Sequence, residues 1–236
     1  MSPQSRLPAV PRKEWRPPTR ERVRRIRDRL REMYGRPLNV PHRQPVDELV
    51  RTILSQATSD ANRDRAFSSL TDRFPDWAAV RDAPEEEVEE AIRPGGLSRQ
   101  KAPRIQEALR AIGPELDLNW LETADRDEAI GFLTGLPGVG RKTAACVQVF
   151  TWNHPEIPVD VHVHRVGGRL GLFRPNASFE EAHDEMLRLV DPEDAYEFHM
   201  NLIRLGRDLC RPTPRCRECD LRRMCPFGRQ ARREAG

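Results

Sequence analysis

The sequence predicts an all-α fold, and two observations carry this prediction. Short amphipathic segments recur along the chain, and proline or glycine separates most of them. Runs that alternate apolar and polar residues are scarce, and no Asn-Gly or Asp-Gly hairpin signal occurs. Roughly ten short helices with no internal repeat of fixed period predict a bundle folded around interior loops.

The N-terminal region is expected to be an arm followed by one basic helix. Residues 1–19 carry five of the 21 prolines and scattered arginines, which predicts a flexible basic arm. Thr19 is a good N-cap, and Glu21–Met33 has the pattern of a basic amphipathic helix. Pro37 to Pro45 follows as a linker. The apolar face of the predicted helix holds Val23, Ile26 and Leu30.

A series of further helices fills the rest of the chain. The first begins at Asp47 and runs through Leu54. The others are predicted over residues 60–74, 84–92, 98–112, 125–134, 141–151, 160–171, 178–190 and 194–208. Most are separated by proline or glycine, which end helices.

Length and composition exclude several classes of protein. The chain has 236 residues, of which 37% are apolar and 33% charged, enough for one large core or two small ones. No apolar run approaches the ~20 residues that cross a bilayer, and the N-terminus lacks the apolar core of a signal peptide. Four of the five cysteines lie between positions 210 and 225, a pattern of metal sites in reducing compartments. We therefore expect a cytoplasmic protein with no membrane role.

Positive charge is concentrated at the two ends of the chain. Residues 1–31 hold 11 Lys and Arg against 3 Asp and Glu, and residues 204–236 hold 10 against 4. That polarity favours binding of a polyanion, while solvated charge on surface helices would give the same pattern. Arginine outnumbers lysine 37 to 3. Lys13, Lys101 and Lys142 are therefore of interest, because arginine cannot lose its proton and act as a nucleophile.

The most informative glycines lie in the string Leu-Pro-Gly-Val-Gly-Arg-Lys-Thr-Ala that starts at Leu136. Gly138 and Gly140 would let a ligand reach the backbone, where N–H groups and the start of the next helix can meet a phosphate. A bare Gly-x-Gly is most often only a helix cap, and the spacing is not that of a Walker loop. The full string, however, resembles the helix–hairpin–helix motif of DNA-binding proteins.

Asp160 lies 18 residues beyond Lys142. Pro155 and Pro158 fix an extended approach, which places Asp160 at the N-terminus of a helix. Taken alone, the residue is an N-cap, the position where aspartate is favoured. A helix of about ten residues and a return loop would bring it back towards Lys142, and the two together suggest catalysis.

A loop near the C-terminus carries four cysteines, Cys210, Cys216, Cys219 and Cys225. The candidates are a tetrahedral zinc ion and a four-iron four-sulfur cluster. Structural zinc usually takes two close Cys-x2-Cys pairs, whereas this loop has one such pair flanked by single cysteines. That asymmetry and the trailing Cys-Pro favour the cluster. Cys146, inside an apolar stretch, is expected to be a core residue.

These motifs, in this order, resemble the endonuclease III family, the iron–sulfur DNA glycosylase/AP lyases of the helix–hairpin–helix superfamily. The resemblance runs from about residue 40 to 226. It implies a two-domain fold in which a six-helix barrel spans 41–154, with the helix–hairpin–helix at about 134–146. A helical domain with one 4Fe-4S cluster would combine 20–40 with 155–226, and 227–236 would form a basic tail.

The resemblance also implies roles for particular residues. Lys142 becomes the nucleophile and Asp160 its essential carboxylate, and the four cysteines become the cluster ligands. The residues expected to contact DNA are Gly138, Val139, Gly140, Arg141, Gln56, Arg99, His162 and Arg165. The resemblance implies that the partner is double-stranded DNA with damaged bases or abasic sites, bound by a monomer in the cytoplasm at the nucleoid.

Three departures from the family pattern stand out. The gap between Cys210 and Cys216 has five residues where the family usually has six. Gln56, the candidate wedge that fills the gap left by a flipped base, stands one position early. The loop before Lys101 carries Ser-Arg-Gln, with Arg99 opposite the wedge, where many members have an aromatic residue and Asn. The last two bear on lesion preference and rate.

The expected reaction begins with a nucleotide flipped out of the duplex. Lys142 would attack C1′ as a neutral amine, because burial and the positive end of a helix both oppose the ammonium form. The Schiff base would then allow β-elimination, while Asp160 stabilises positive charge on the sugar. The alternatives are a glycosylase of the same fold without lyase activity and a non-catalytic DNA-binding protein with a structural metal.

Overall fold

The computed structural model describes Pro11 and residues 13–233, with side chains described through Gln230, and these residues contain helices and no strand. The all-α prediction is confirmed. The α-helices are α1 (Arg20–Tyr34), α2 (Pro45–Leu54), α3 (Asp60–Arg73), α4 (Trp77–Asp82), α5 (Glu85–Ile92), α6 (Ser98–Ile112), α7 (Arg126–Gly135), α8 (Arg141–Trp152), α9 (Val161–Leu170), α10 (Phe179–Leu189), α11 (Ala195–Asp208) and α12 (Pro226–Arg233). None of the described helices is both long and apolar enough to span a membrane.

The chain divides into two compact units. One contains the segment through Asn39 together with everything from Pro155 onward, and the other is Val40–His154. We call them the discontinuous unit and the central unit. Most of the predicted arm, residues 1–10 and 12, lies outside the described residues.

The central unit holds α2 to α8 around one apolar core. Fully buried side chains from four of its helices include Leu49, Ile53, Leu70, Ile105 and Leu133. The sequence reading missed α4, which has six residues and is too short to show a helical period. Its start is fixed by Asp76, whose carboxylate accepts the Ala79 N–H at 2.7 Å.

The discontinuous unit packs α1 against α11 with an apolar seam and a set of ion pairs. Ile26 and Leu30 of α1 are fully buried. Arg31 donates to both oxygens of buried Glu197 at 2.8 and 2.7 Å. Arg24 also donates to both oxygens of Asp191, and Arg27 donates to one oxygen of buried Asp194. Much of the positive charge that the sequence concentrates in α1 is therefore neutralised inside this unit, rather than offered to a polyanion.

The two ends of this unit compare differently with the sequence expectation. The predicted N-cap is confirmed, because the Thr19 side chain accepts the Arg22 N–H at 3.2 Å. The predicted basic tail is helical throughout its described part, residues 227–233, since α12 runs from Pro226 to Arg233. The sequence did not predict this helix because proline, which usually ends helices, is tolerated at the first helical position.

Candidate nucleic-acid interface, catalytic residues and cysteine cavity

The turn between α7 and α8 presents main-chain atoms to solvent. The Val139 N–H donates to the Leu136 carbonyl at 3.1 Å, and both side chains are buried in the central core. Gly138 and Gly140 are exposed. Gly138 has φ of 74°, in the left-handed region that favours glycine. Leu136 and Val139, buried on either side of Gly138, thus anchor the turn and leave the glycine backbone exposed.

Helix α8 starts directly after this turn. Gly140 is its N-cap, and Arg141 and Lys142 are its first two residues, both half-buried. The first N–H groups of a helix lack acceptors within it, and the helix dipole adds positive potential there. The predicted phosphate-binding turn and the predicted nucleophile therefore share one helix start, which is suited to holding a sugar-phosphate beside an amine.

The extended segment before α9 belongs to the discontinuous unit and is held by two buried histidines. The Val159 N–H donates to His183 Nε2 at 3.3 Å. His199 Nδ1 donates to the Pro158 carbonyl at 2.9 Å. Sequence reasoning did not single out these histidines, because lone histidines on amphipathic helices carry no pattern. They fix where α9 begins.

Asp160 is the N-cap of α9. Its Oδ1 accepts the Val163 N–H at 2.7 Å, and the side chain is half-buried. This bond engages one oxygen of the carboxylate. Capping is therefore a means of orienting the group, and it is compatible with a chemical role for the carboxylate.

The next candidates along α9, His162 and Arg165, lie close together. Arg165 donates to the Cys210 carbonyl at 2.9 Å and to the Gly206 carbonyl at 3.0 Å, and its NH2 lies 3.1 Å from His162 Nδ1. Burial lowers the pKa of the Arg165 guanidinium. These contacts tie α9 to the start of the cysteine loop. DNA contact by the two side chains stays a prediction.

Lys101 does not fit a nucleophilic role. It is 1% exposed, and Nζ donates to the Leu54 carbonyl at 2.8 Å and the Gly95 carbonyl at 2.9 Å. Burial lowers the pKa of this lysine. A low pKa alone is not enough for nucleophilic attack, because the amine is enclosed in the core and engaged by two acceptors.

The candidate wedge residues lie in the central unit, one on the turn after α2 and the other in the first turn of α6. Gln56 is half-buried in the turn between α2 and α3. Arg99 has a side chain 89% exposed, with Nε 3.5 Å from Glu89. The structure adds Leu97, which precedes α6 with φ of 52° and is 50% exposed. An exposed leucine on a turn with left-handed backbone is suited to insertion between bases. Its signal in the sequence was the Gly-Gly pair before it.

The four cysteines of the C-terminal loop surround one cavity in the discontinuous unit. The cavity is partly open to solvent. Its apolar wall is formed by Leu170, Leu205, Leu209 and Phe227. No three of the described Cys, His, Asp or Glu side chains converge as they would around one metal ion. The fifth cysteine, Cys146, is buried as expected.

The surroundings of the sulfurs bear on what they can bind. Burial raises the pKa of Cys216 and Cys219, and it raises the pKa of Cys225 to about 12. These groups would be thiols unless a cationic centre replaced their protons. N–H donors point at the sulfurs: Gly228 N lies 3.4 Å from Cys225 Sγ, and Arg169 NH1 lies 3.4 Å from Cys210 Sγ. Four thiols with N–H donors in one apolar cavity are the donor set that an iron–sulfur cluster requires.

Arg169 also fixes the path of the loop. It donates to the Arg211 carbonyl at 2.6 Å and to the Pro212 carbonyl at 2.9 Å, and it lies over the Phe227 ring. Sequence reasoning missed this residue, because one arginine among 37 carries no signal. The loop is therefore held to α9 by Arg165 and Arg169.

Comparison with known proteins identifies the class. A profile of the HhH-GPD superfamily, base excision DNA repair proteins, matches residues 50–192. Endonuclease III of Thermotoga maritima is 33% identical over 208 residues, covering 87% of this chain and 94% of its own. Endonuclease III of Bacillus subtilis is 37% identical over 193 residues, covering 80% of this chain and 84% of its own.

Solved structures agree. A trapped endonuclease III–DNA covalent intermediate, in an estranged-adenine complex, matches with a TM-score of 0.76 and 32% identity, covering 91% of this chain and 99% of that one. A non-covalent endonuclease III–DNA complex matches with a TM-score of 0.76 and 33% identity, covering 92% and 99%. The chain belongs to the HhH-GPD superfamily of base excision DNA repair proteins, and within it to the endonuclease III family. It is a DNA glycosylase and AP lyase of base excision repair.

The arginines of the cysteine loop are not equivalent, which leads to a prediction about DNA binding. Arg215 is 3.0 Å from both Asp208 and Glu218, whereas Arg217 is exposed and has no acidic partner within the described chain. Replacing Arg217 by Gln should flatten the plot of log affinity against log salt by about 0.9, one phosphate contact. The matched variant Arg215→Gln should change the slope less. Equal slopes for wild type and Arg217→Gln would show that Arg217 does not contact DNA.

Proposed function

We propose that this protein removes oxidised pyrimidines from duplex DNA and cleaves the abasic site by β-elimination, with Lys142 as nucleophile. The observation that carries the proposal is the placement of Lys142 as the second residue of α8, directly after an exposed glycine turn. That turn can hold the phosphate next to the damaged nucleotide, which leaves C1′ of its sugar near the amine. The solved covalent endonuclease III–DNA intermediate supports a covalent route.

The proposed reaction uses groups of this chain throughout. Neutral Lys142 Nζ attacks C1′, and the base departs with the electrons of the glycosidic bond and takes up a proton. The attached amine loses a proton, the C1′–O4′ bond of the sugar ring opens as O4′ takes up a proton, and a C1′=N imine forms in its protonated state. Loss of a C2′ proton then breaks the bond between C3′ and its phosphate oxygen, which cuts the strand. Asp160 stabilises positive charge on the sugar and assists proton transfer. Water finally releases the lysine.

The proposed partner is double-stranded DNA, bound by a monomer in the cytoplasm at the nucleoid. Main-chain N–H groups at Gly138 and Gly140 would hold a phosphate without reading sequence. Gln56 and Arg99, together with Leu97, would fill the gap that the flipped base leaves in the DNA stack. Gln56 and Leu97 lie on turns of the central unit and Arg99 lies in the first turn of α6, and all three side chains are at least partly accessible.

We also propose that one 4Fe-4S cluster is bound by Cys210, Cys216, Cys219 and Cys225. The apolar cavity lined by all four sulfurs and the N–H donors towards two of them support this assignment. The cluster would supply structure rather than chemistry, because base excision transfers no electron. Its ligation would order a loop that is short of apolar side chains of its own.

Lys142→Ala should lose covalent attachment to abasic DNA while DNA binding persists. Borohydride reduction of the imine traps wild-type protein as a stable adduct, which gel electrophoresis detects. Lys13→Arg is the matched control, since Lys13 is exposed and its adduct should equal that of wild type. An undiminished adduct in Lys142→Ala would place the nucleophile elsewhere. Base release with no wild-type adduct would indicate a glycosylase without lyase activity.

Two substitutions of Asp160 separate its capping role from its chemical role. Asparagine caps as well as aspartate, so Asp160→Asn should change the free energy of unfolding by less than ~0.5 kcal/mol, while Asp160→Ala should lose about 1 kcal/mol. Both should abolish base excision. Asp76→Asn, at the N-cap of α4, is the control and should keep full activity. If Asp160→Asn is as active as wild type, the residue serves only as a cap.

Cys216→Ser should remove the yellow-brown colour of the purified protein and lower its solubility and DNA affinity together. Any correctly folded remnant should still form the Lys142 adduct. Cys146→Ala removes a buried cysteine outside the loop and should keep iron and colour. Iron, sulfide and zinc are measured on anaerobically purified protein. Stoichiometric zinc without iron would overturn the cluster assignment, as would cluster-free protein that binds and cuts DNA normally.

A further inference from the structure

We propose that Lys101 is a positioning residue for base flipping, whose buried amine holds the Gln56 turn and the Gly96–Leu97 turn before α6 together so that both enter the DNA stack as one unit. The inference rests on the proposed function, because it concerns the wedge residues assigned there. It adds a residue that does not touch DNA.

The geometry of the contact supports this role. Nζ donates to the Leu54 carbonyl at 2.8 Å and to the Gly95 carbonyl at 2.9 Å, and the side chain is 1% exposed. Leu54 ends α2 immediately before the Gln56 turn, and Gly95 lies two residues before Leu97. Hydrogen bonds from a charged donor are shorter and stronger than neutral ones, and burial excludes competing water. One amine thus sets the distance between the two turns.

Both turns have unfavourable backbone geometry, so they need such an anchor. Ala57 has φ of 52° in the first turn, and Gly96 and Leu97 have φ of 68° and 52° in the second. Non-glycine residues in this region persist only where surrounding contacts hold them. The second turn is also pressed onto α3, because a Cβ on Gly95 would lie 3.0 Å from Ala66 Cβ. The Lys101 amine therefore links the Gln56 turn to a second turn that is itself packed against α3.

The same helix offers a matched comparison. Gln106 on α6 is also 1% exposed, and its Nε2 donates to the carbonyls of Val80 and Ala83 at 2.9 and 2.8 Å. It therefore resembles Lys101 in burial and in bridging two carbonyls, but it holds the segment between α4 and α5. A role confined to stability predicts the same phenotype for both residues. A positioning role predicts a difference in flipping alone.

The experiment compares Lys101→Met with Gln106→Met in the full-length protein, well below the melting temperature of each. Cleavage of abasic single-stranded DNA, where no stack must be filled, reports Lys142 chemistry and the active fraction. Excision from duplex DNA reports flipping as well. Lys101→Met should lower the ratio of duplex to single-strand rates by about tenfold or more, the scale of a displaced positioning group. Gln106→Met should leave the ratio within about twofold of wild type. 2-Aminopurine beside the lesion should show the lost flipping directly.

A second set of variants keeps the test decisive. Lys101→Gln is shorter and reaches only one carbonyl, so it should lower the ratio in the same direction even if Lys101→Met fails to fold. Gln56→Ala should cost less in the Lys101→Gln background than in wild type, since coupled residues are not additive. Equal ratios for Lys101→Gln and wild type would overturn the proposal, and so would full additivity with Gln56→Ala. A wild-type protein without an abasic-DNA adduct would instead refute the proposed function.

Discussion

Buried cationic and amide side chains that satisfy backbone carbonyls at the ends of helices are the interaction on which this structure depends. The described residues form many short helices, and each helix leaves the carbonyls of its last turn without partners inside the helix. Arg22 binds the carbonyls of Leu170 and Met224, at 2.6 and 3.0 Å, and so joins α1 to the end of α9 and the cysteine loop. Leaving such carbonyls buried and unpaired would cost about 1–3 kcal/mol each.

This constraint changes the meaning of the basic composition. Positive charge concentrated at the two ends of the sequence suggested a surface for a polyanion. In the structure, several arginines of α1 pair with buried acids or carbonyls, while Arg217 and Arg223 of the cysteine loop remain exposed without an acidic partner among the described residues. Net charge therefore indicates the class of partner, and the location of unpaired charge indicates the surface that binds it.

The helical periods and N-caps explain why the fold was predictable. Thr19 and Asp160 cap α1 and α9 as the sequence indicated, because capping depends on residues three positions apart. The cysteine cavity followed from local spacing in the same way. The supporting contacts did not, because Lys101, Arg169 and His183 act on carbonyls or amides distant in sequence. A side chain and a backbone group that are distant in sequence leave no periodic pattern. Because every residue type has the same backbone carbonyl, the sequence does not show which one is the acceptor. Leu97 was missed for another reason, since exposed leucines look like core residues in a sequence.

The exposed turn at Gly138 and Gly140 has a consequence for how the protein surveys DNA. Its proposed phosphate contacts come from exposed main-chain atoms. Because every nucleotide carries the same phosphate, binding at this turn has no preference for one DNA sequence over another. Discrimination is then left to the nucleotide itself, to how readily it leaves the helix and how it fits once outside. A protein built in this way can travel along undamaged DNA without being held at favoured sequences.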